Sequence, residues 1–411
     1  MAMPQSVRQA AGDNKNGRAR EFDDKPHKEG NMSSQLQRAS KQSGRWGLRV
    51  IGATIIGLCA SVGHAQQTID FGKPGEPVHL VVGYQPYYTE SWSGVVMRGK
   101  KLYEKYLPKG STVEFQIGLQ GAIIVNNMLA GKQHIGYMGD MPAIVSTTKQ
   151  SVADIRMVAV LGLGYDQCNI FLVRKDAPQF KTPTEALKWL NGKVVAVPKG
   201  SCTDRFAQAV FKKEDITPSA YLNQNIEVIT SGFRSGKLDA AVIWEPTASR
   251  ILDDGLARRV ASGFSVGEND GGFLAMRADL IQQRPDVVKD WLNAELDAQR
   301  YLADPNNAQE IVNMAVAQTT GFPRQALTMS LYGKFPDQDG AKQRFQLPFA
   351  FTPEAMDLIN KATTFLHEIK TINVDKLRPE AVMPQFTQEV LKARGVSAPV
   401  GDVPVLSPLP K

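Results

Sequence analysis

The sequence predicts an α/β protein built as two lobes, each a mainly parallel sheet flanked by helices. Three observations carry this. From residue 78 onward, short Val- and Ile-rich runs alternate with longer helix-period segments, the pattern of parallel sheets covered on both faces. A stretch around Gly131 recurs around Gly236, so one supersecondary unit is used twice. The 411 residues are 42% hydrophobic and 22% charged, enough apolar material for two modest cores and too balanced for a disordered or fibrous chain.

The front of the chain reads differently from the rest. Residues 1–65 hold ten Lys/Arg and five Asp/Glu, so +5 of the formal net charge of +7 lies there and +2 in everything after. A near-neutral body argues against nucleic-acid binding. Arg45 and Arg49 flank Trp46 and precede an apolar run, 50–60, closed by Gly63-His64-Ala65. This is a secretory signal peptide with cleavage after Ala65, since the apolar run falls well short of the ~20 residues that span a bilayer. Residues 1–44 are polar, and Met32 offers a later start that would give an ordinary leader. A lipoprotein is disfavoured because Leu58, not a small residue, precedes Cys59. Cleavage leaves Cys168 and Cys202, whose spacing matches no structural zinc pattern. In an exported chain they could be bonded or free.

Strands are expected at 78–83, 113–117, 135–138, 157–163 and 170–173, and then at 194–197, 226–229, 240–244 and 273–276. Helices are expected between them, at 92–106, 123–130 and 206–211. Thr182-Pro183-Thr184-Glu185 is a capping box with Pro at the first helical position, which starts a helix running to 190; Asn191-Gly192 stops it. Beyond 279 the pattern turns helical. Val288, Trp291, Leu292 and Leu296 form one stripe of a helix over 286–301, followed by helices at 305–317 and 353–369. Past residue 398, Pro399, Pro404, Pro408 and Pro410 predict an extended tail without a regular element.

The repeat carries the functional argument. Ala130-Gly131-Lys132 precedes a strand running into Gly139-Asp140-Met141-Pro142, and Ser235-Gly236-Lys237 precedes one running into Trp244-Glu245-Pro246. The acid stands nine positions after the glycine in both. Each unit would bring the carboxyl end of a strand to a shared crevice, where open α/β sheets bind ligands. The loops that follow strands are 85–92, 120–122, 139–142, 200–204 and 244–246. Several open helices with Ser, Thr or Gly, and such termini attract anions through the helix dipole.

The candidate site residues come from these loops. Gln85, Tyr87, Tyr88 and Trp92 offer an amide, two hydroxyls and an aromatic wall, or alternatively cap a core edge. Gln120 supplies another amide, and Gly121 lets backbone approach a ligand. Ser201 and Thr203 could donate to an oxyanion or only cap their helix. Met141, Cys202 and Trp244 complete the wall. Asp140 and Glu245 repel an anion, so they require either a cationic group on the solute, as in an amino-sulfonate, or a structural duty. Asp166 and Asp204 could assist, and Lys199, Arg205 and Arg234 are available counter-charges.

The run from Asn127-Met128-Leu129-Ala130-Gly131-Lys132 to Gly136-Tyr137-Met138-Gly139-Asp140-Met141-Pro142-Ala143, with Gly236-Lys237-Leu238-Asp239-Ala240, Trp244-Glu245-Pro246 and Val197-Pro198-Lys199-Gly200-Ser201, resembles the periplasmic solute-binding proteins of nitrate, sulfonate and taurine ABC importers. The resemblance covers about 76–395. It implies the type II periplasmic-binding-protein fold. Lobe 1 would be 74–165 and 273–395, and lobe 2 would be 166–272, with 396–411 as tail. Crossovers would lie near 164–168 and 268–272, where Gly271-Gly272 could absorb hinge rotation. It further implies a small anionic or zwitterionic solute held in the cleft, delivery to an ABC permease and its ATPase, a periplasmic monomer, and no cofactor or metal.

The alternatives are a binding protein for a pyrimidine or aromatic acid, a receptor-docking sensor, and a fold-related pyrimidine-precursor enzyme. The enzyme reading is the weakest. After the leader only His79, His134 and His367 remain, without the motifs of a zinc hydrolase, a serine hydrolase or a P-loop NTPase.

Overall fold

A computed structural model describes residues 68–338 and 341–410. The leader, with its apolar run and Met32, lies outside them. Among the described residues no helix is long and apolar enough to cross a membrane.

In chain order the strands are β1 His79–Tyr84, β2 Thr112–Ile117, β3 Ile135–Gly139, β4 Ile155–Gly164, β5 Ile170–Arg174 and β6 Val194–Val197. They continue as β7 Ala220–Asn223, β8 Ala240–Ile243, β9 Ala257–Ser262, β10 Asp270–Arg277, β11 Gln343–Leu347 and β12 Gly401–Pro404. They make two sheets, β12-β11-β4-β10-β3-β1-β2 and β7-β6-β8-β5-β9, as the two-lobe reading requires. The sheets are mixed, however, rather than mainly parallel. β1 runs parallel to β2 and β3, and β6 to β7 and β8. β10 is antiparallel to both β3 and β4, and β5 to both β8 and β9. The reason is connectivity. The chain leaves the first sheet by β4, makes the second, and returns by β10, so the crossover strands cannot all run with the βαβ units.

The central strands are buried on both faces. In β10, Phe273 and Ala275 enter one core and Leu274 and Met276 another, and β5 divides likewise between Phe171 and Val173 on one side and Ile170 and Leu172 on the other. Two-faced burial with side chains alternating is what makes such strands read as continuous apolar runs.

Four local expectations fail for identifiable reasons. The run 226–229, expected as a strand, is the first turn of helix Ile226–Arg234. The Asn225 side chain accepts from Glu227 N and Val228 N at 3.1 and 2.9 Å, and Ile226, Ile229, Thr230 and Phe233 form its buried face; the strand is the preceding β7. The helix expected over 92–106 stops at Lys100. Lys101 turns left-handed (φ 52°), and Tyr103 then stacks on Trp291 with ring centroids 5.9 Å apart. The tail is not without regular structure, since β12 pairs antiparallel with β11 and Val403 is fully buried. Gly271 and Gly272 lie inside β10 rather than in a loose hinge. A Cβ on Gly271 would stand 2.8 Å from Leu358 and 2.9 Å from Leu163, so this glycine serves close packing.

Candidate functional site

The carboxyl ends of β1, β2 and β3 in the first sheet, and of β6 and β8 in the second, converge on one cavity of about 40 Å³. By that measure it holds a few water-sized groups. From the first sheet it is lined by Gln85, Tyr88, Gln120, Gly121, Ala122, Gly139 and Pro142. Pro198, Lys199, Gly200, Ser201, Cys202 and Trp244 line it from the second.

Two helices begin at this cavity, Gly121–Leu129 and Cys202–Glu214. Neither N-cap side chain, Gln120 or Ser201, caps its helix. Ser201 Oγ instead donates to Pro198 O at 2.6 Å and lies 2.7 Å from Thr203 Oγ1. First-turn N–H groups from each half therefore receive no partner from their cap side chains, which is the condition for an anion site. Gly121 is needed where it stands, because a Cβ there would meet Pro142 Cγ at 2.3 Å. Gln85 is 4% exposed and its Oε1 has no partner. Tyr88 and Trp244 form the apolar walls. Tyr88 donates its hydroxyl to Glu90, and Trp244 Nε1 donates to Tyr87 O at 2.8 Å. Lys199 is exposed, its Nζ 4.8 Å over the Tyr221 ring.

Cys168 and Cys202 form a disulfide with Cα atoms 5.9 Å apart. The alternative left open by the sequence thus resolves as bonded, and the bridge ties the crossover after β4 to the first residue of the second-sheet cavity helix.

Of the fourteen residues proposed from sequence, Gln85, Tyr88, Gln120, Gly121, Ser201, Cys202 and Trp244 line the cavity, and the others stand behind it. Trp92 is fully buried and donates Nε1 to Pro86 O at 3.0 Å. Tyr87 packs on Phe322 and accepts from Thr320 N at 3.2 Å. Met141 belongs to the first-sheet core, and Thr203 is buried beside Ser201. Asp140 pairs with Arg205 NH2 at 3.0 Å. Asp166 is held by Arg259 at 2.9 Å and Arg344 at 2.8 Å. Glu245 accepts from Ser249 N at 2.9 Å with Arg259 at 3.9 Å. Burial pushes Asp140 and Glu245 above the usual carboxylate range while their arginines pull them back. Asp204 accepts from Gly200 N at 2.9 Å and from Tyr221 at 2.6 Å. Arg234 meets Asp254 at the surface.

Sequence reasoning missed a second carboxyl group behind Tyr88. Glu90 and Asp270 are both fully buried, and their carboxyl groups crowd together beside Gly164; Asp270 Oδ2 accepts from Cys168 N and Asn169 N at 2.7 and 3.0 Å. Two buried carboxyls this close resist ionising together. Burial, then the Asp270 charge, holds Glu90 well above its ordinary value, and burial pushes Asp270 up to about 6. No sequence signal marked the pair, whose members are 180 positions apart. His134 has a structural duty. Its Nδ1 accepts from Val81 N at 3.1 Å, and burial lowers it to about 4.

Residues 73–316 match the NMT1-like family. The chain belongs to that family. Among curated proteins the chain is 26% identical over 237 residues to the taurine-binding periplasmic protein of Escherichia coli (strain K12), covering 56% of this chain and 69% of that one. Among solved structures it resembles the alkanesulfonate-binding protein SsuA of Xanthomonas axonopodis pv. citri bound to MOPS, at TM-score 0.60 and 20% identity over 75% of this chain and 99% of that one. It also resembles the desulfurization enzyme DszB, at TM-score 0.54 and 15% identity over 77% and 99%. At such identities these two likenesses establish the fold, which this NMT1-like chain shares with binding proteins and with an enzyme.

Proposed function

We propose that this NMT1-like protein captures a small sulfonate-type anion between its two lobes and delivers it to the permease and ATPase of an ABC importer, acting outside the cytoplasm as a monomer after export. One observation carries the reading: two uncapped helix N-termini, one from each sheet, meet at one small cavity walled by Tyr88 and Trp244. Fixed N–H groups in a small pocket suit a compact oxyanion, and the aromatic walls suit a short alkyl body. The similarity to a taurine-binding protein supports the same class. The lobes divide as 74–165 with 273–395, joined by the β12 segment that pairs onto the first sheet, and 166–272, with the solute between them.

The two repeated carboxylates alter the solute expected from the sequence. Asp140 and Glu245 already have partners and do not line the cavity, so the solute needs no ammonium group. Calorimetric titration with ethanesulfonate, taurine, nitrate and ethylamine tests this. Ethanesulfonate should bind at least as tightly as taurine, ethylamine should not bind, and none should be turned over. Binding of taurine alone would restore the amine requirement, and turnover would make the protein an enzyme.

A further inference from the structure

Asp140 and Glu245 close equivalent corners of the repeat, and each corner reaches the opposite lobe. Asp140 opens the helix after β3 in the first lobe and is completely buried. Its Oδ2 accepts from Arg205 NH2 at 3.0 Å, and Arg205 belongs to the second-lobe helix Cys202–Glu214. The same nitrogen donates to Asn269 O at 2.8 Å, and NH1 lies 3.8 Å from Glu268 Oε2, both on the return crossover. At the other corner, second-lobe Trp244 donates Nε1 to Tyr87 O at 2.8 Å, and Glu245 O accepts from Thr89 N at 3.3 Å. Tyr87 and Thr89 follow β1 in the first lobe. One repeat unit thus grips the second lobe and the other grips the first.

We propose that the Asp140–Arg205 pair is a clasp across the cleft that sets the balance between closed and open lobes, and through it the solute's residence time, without touching the solute. The proposal rests on reading the cavity as the solute site and concerns the regulation of that site. Together in the closed form, the two charges satisfy each other out of water. Parted, each is hydrated. A complete pair therefore favours closure only modestly, whereas removing one member leaves the other buried and uncompensated and penalises the closed form. Arg205 Nε has no partner, so the guanidinium is incompletely satisfied when closed, consistent with a clasp that must also open. Loss of closed population lowers apparent affinity in proportion to the competent fraction.

A single and double substitution series tests it. In purified protein, Asp140→Asn and Arg205→Met should each raise the dissociation rate of ethanesulfonate by about tenfold or more, with the association rate changed far less. X-ray scattering of the sulfonate-free variants should give a larger radius of gyration than wild type. The double variant should lie closer to wild type than the sum of the singles, because neither charge is then left alone. A merely structural pair would lower the melting temperature without that recovery and without expansion. Unchanged dissociation rate and radius in the single variants, or strictly additive losses, would overturn the clasp. Should Arg205→Met fail to fold, Arg205→Lys serves the same test: an intermediate dissociation rate supports the clasp and a wild-type rate overturns it. If ethanesulfonate does not bind wild type, the solute assignment fails, while the scattering series still decides the clasp.

Discussion

The two repeat units use one scaffold for different ends. Their helices begin and end the same 105 positions apart (121 to 226, 129 to 234), and each is followed by a left-handed glycine, Gly131 at φ 70° and Gly236 at φ 67°. What differs is the cap. Asn225 is short enough to fold its amide oxygen onto Glu227 N and Val228 N, which closes that helix end. Gln120, one methylene longer, does not cap, and its helix end stays available at the cavity. The second lobe instead supplies its cavity-facing terminus from helix Cys202–Glu214, tethered by the disulfide. The difference teaches that the repeat builds the frame, while single cap residues decide which helix ends can take a ligand.

The largest effect should come from breaking the second lobe's tether. Cys168→Ser with Cys202→Ser opens a bridge between residues 34 apart, and chain entropy predicts a loss of about 3 to 4 kcal/mol. Urea unfolding measures it, and the first-lobe helix, which has no such tie, gives no counterpart.

Next is the acid pair behind Tyr88 in the first lobe. Asp270 is raised to about 6 and Glu90 is held well above its ordinary value, so above the unfolded carboxylate range near pH 4 the folded protein binds more protons than the unfolded chain until these groups ionise. The pair's stabilisation is complete below about pH 4 and is lost as pH rises through about 6. His134, lowered by burial, works in the opposite sense, so the comparison is with Glu90→Gln. Wild type should lose more stability than this variant between pH 4 and pH 7, read by unfolding at each pH.

Gly121→Ala sharpens the comparison at the open helix end. Its Cβ collides with Pro142, which should cost about 1 to 3 kcal/mol of stability and weaken ethanesulfonate binding in the same calorimeter. The smallest change is Asn225→Ala at the closed end. It should cost about 1 kcal/mol by thermal unfolding and leave sulfonate affinity untouched.

Much of this was legible. β6 was read at its true bounds and β5 within one residue because both are buried on two faces and end at clear punctuation. β9 and β11 were not, because Arg258, Arg259 and Arg344 interrupt them with charge. The sequence marks such residues as surface, yet Arg259 and Arg344 are buried against Asp166, Asp337 and Glu245, partners far away in the chain. At the site, the rule that ligands meet strand carboxyl ends picked out the loops that line the cavity. It could not say that Tyr88 faces the cavity while Tyr87 and Trp92 turn into the core, since side-chain direction in a loop has no sequence period. The repeated acids were visible as a pattern, but their arginine partners, Arg205 for Asp140 and Arg259 for Glu245, are specified only by the packing of the folded chain.

The account depends most on an oxyanion resting between two helix ends. Long-wavelength diffraction from crystals grown with ethanesulfonate would locate its sulfur by anomalous scattering. The account predicts a peak within hydrogen-bonding reach of the backbone N–H groups of Gly121 and Ala122 and of Cys202 and Thr203, with Asp140 still paired to Arg205. A sulfonate sulfur held elsewhere, or one coordinated by side chains away from these two termini, would contradict it.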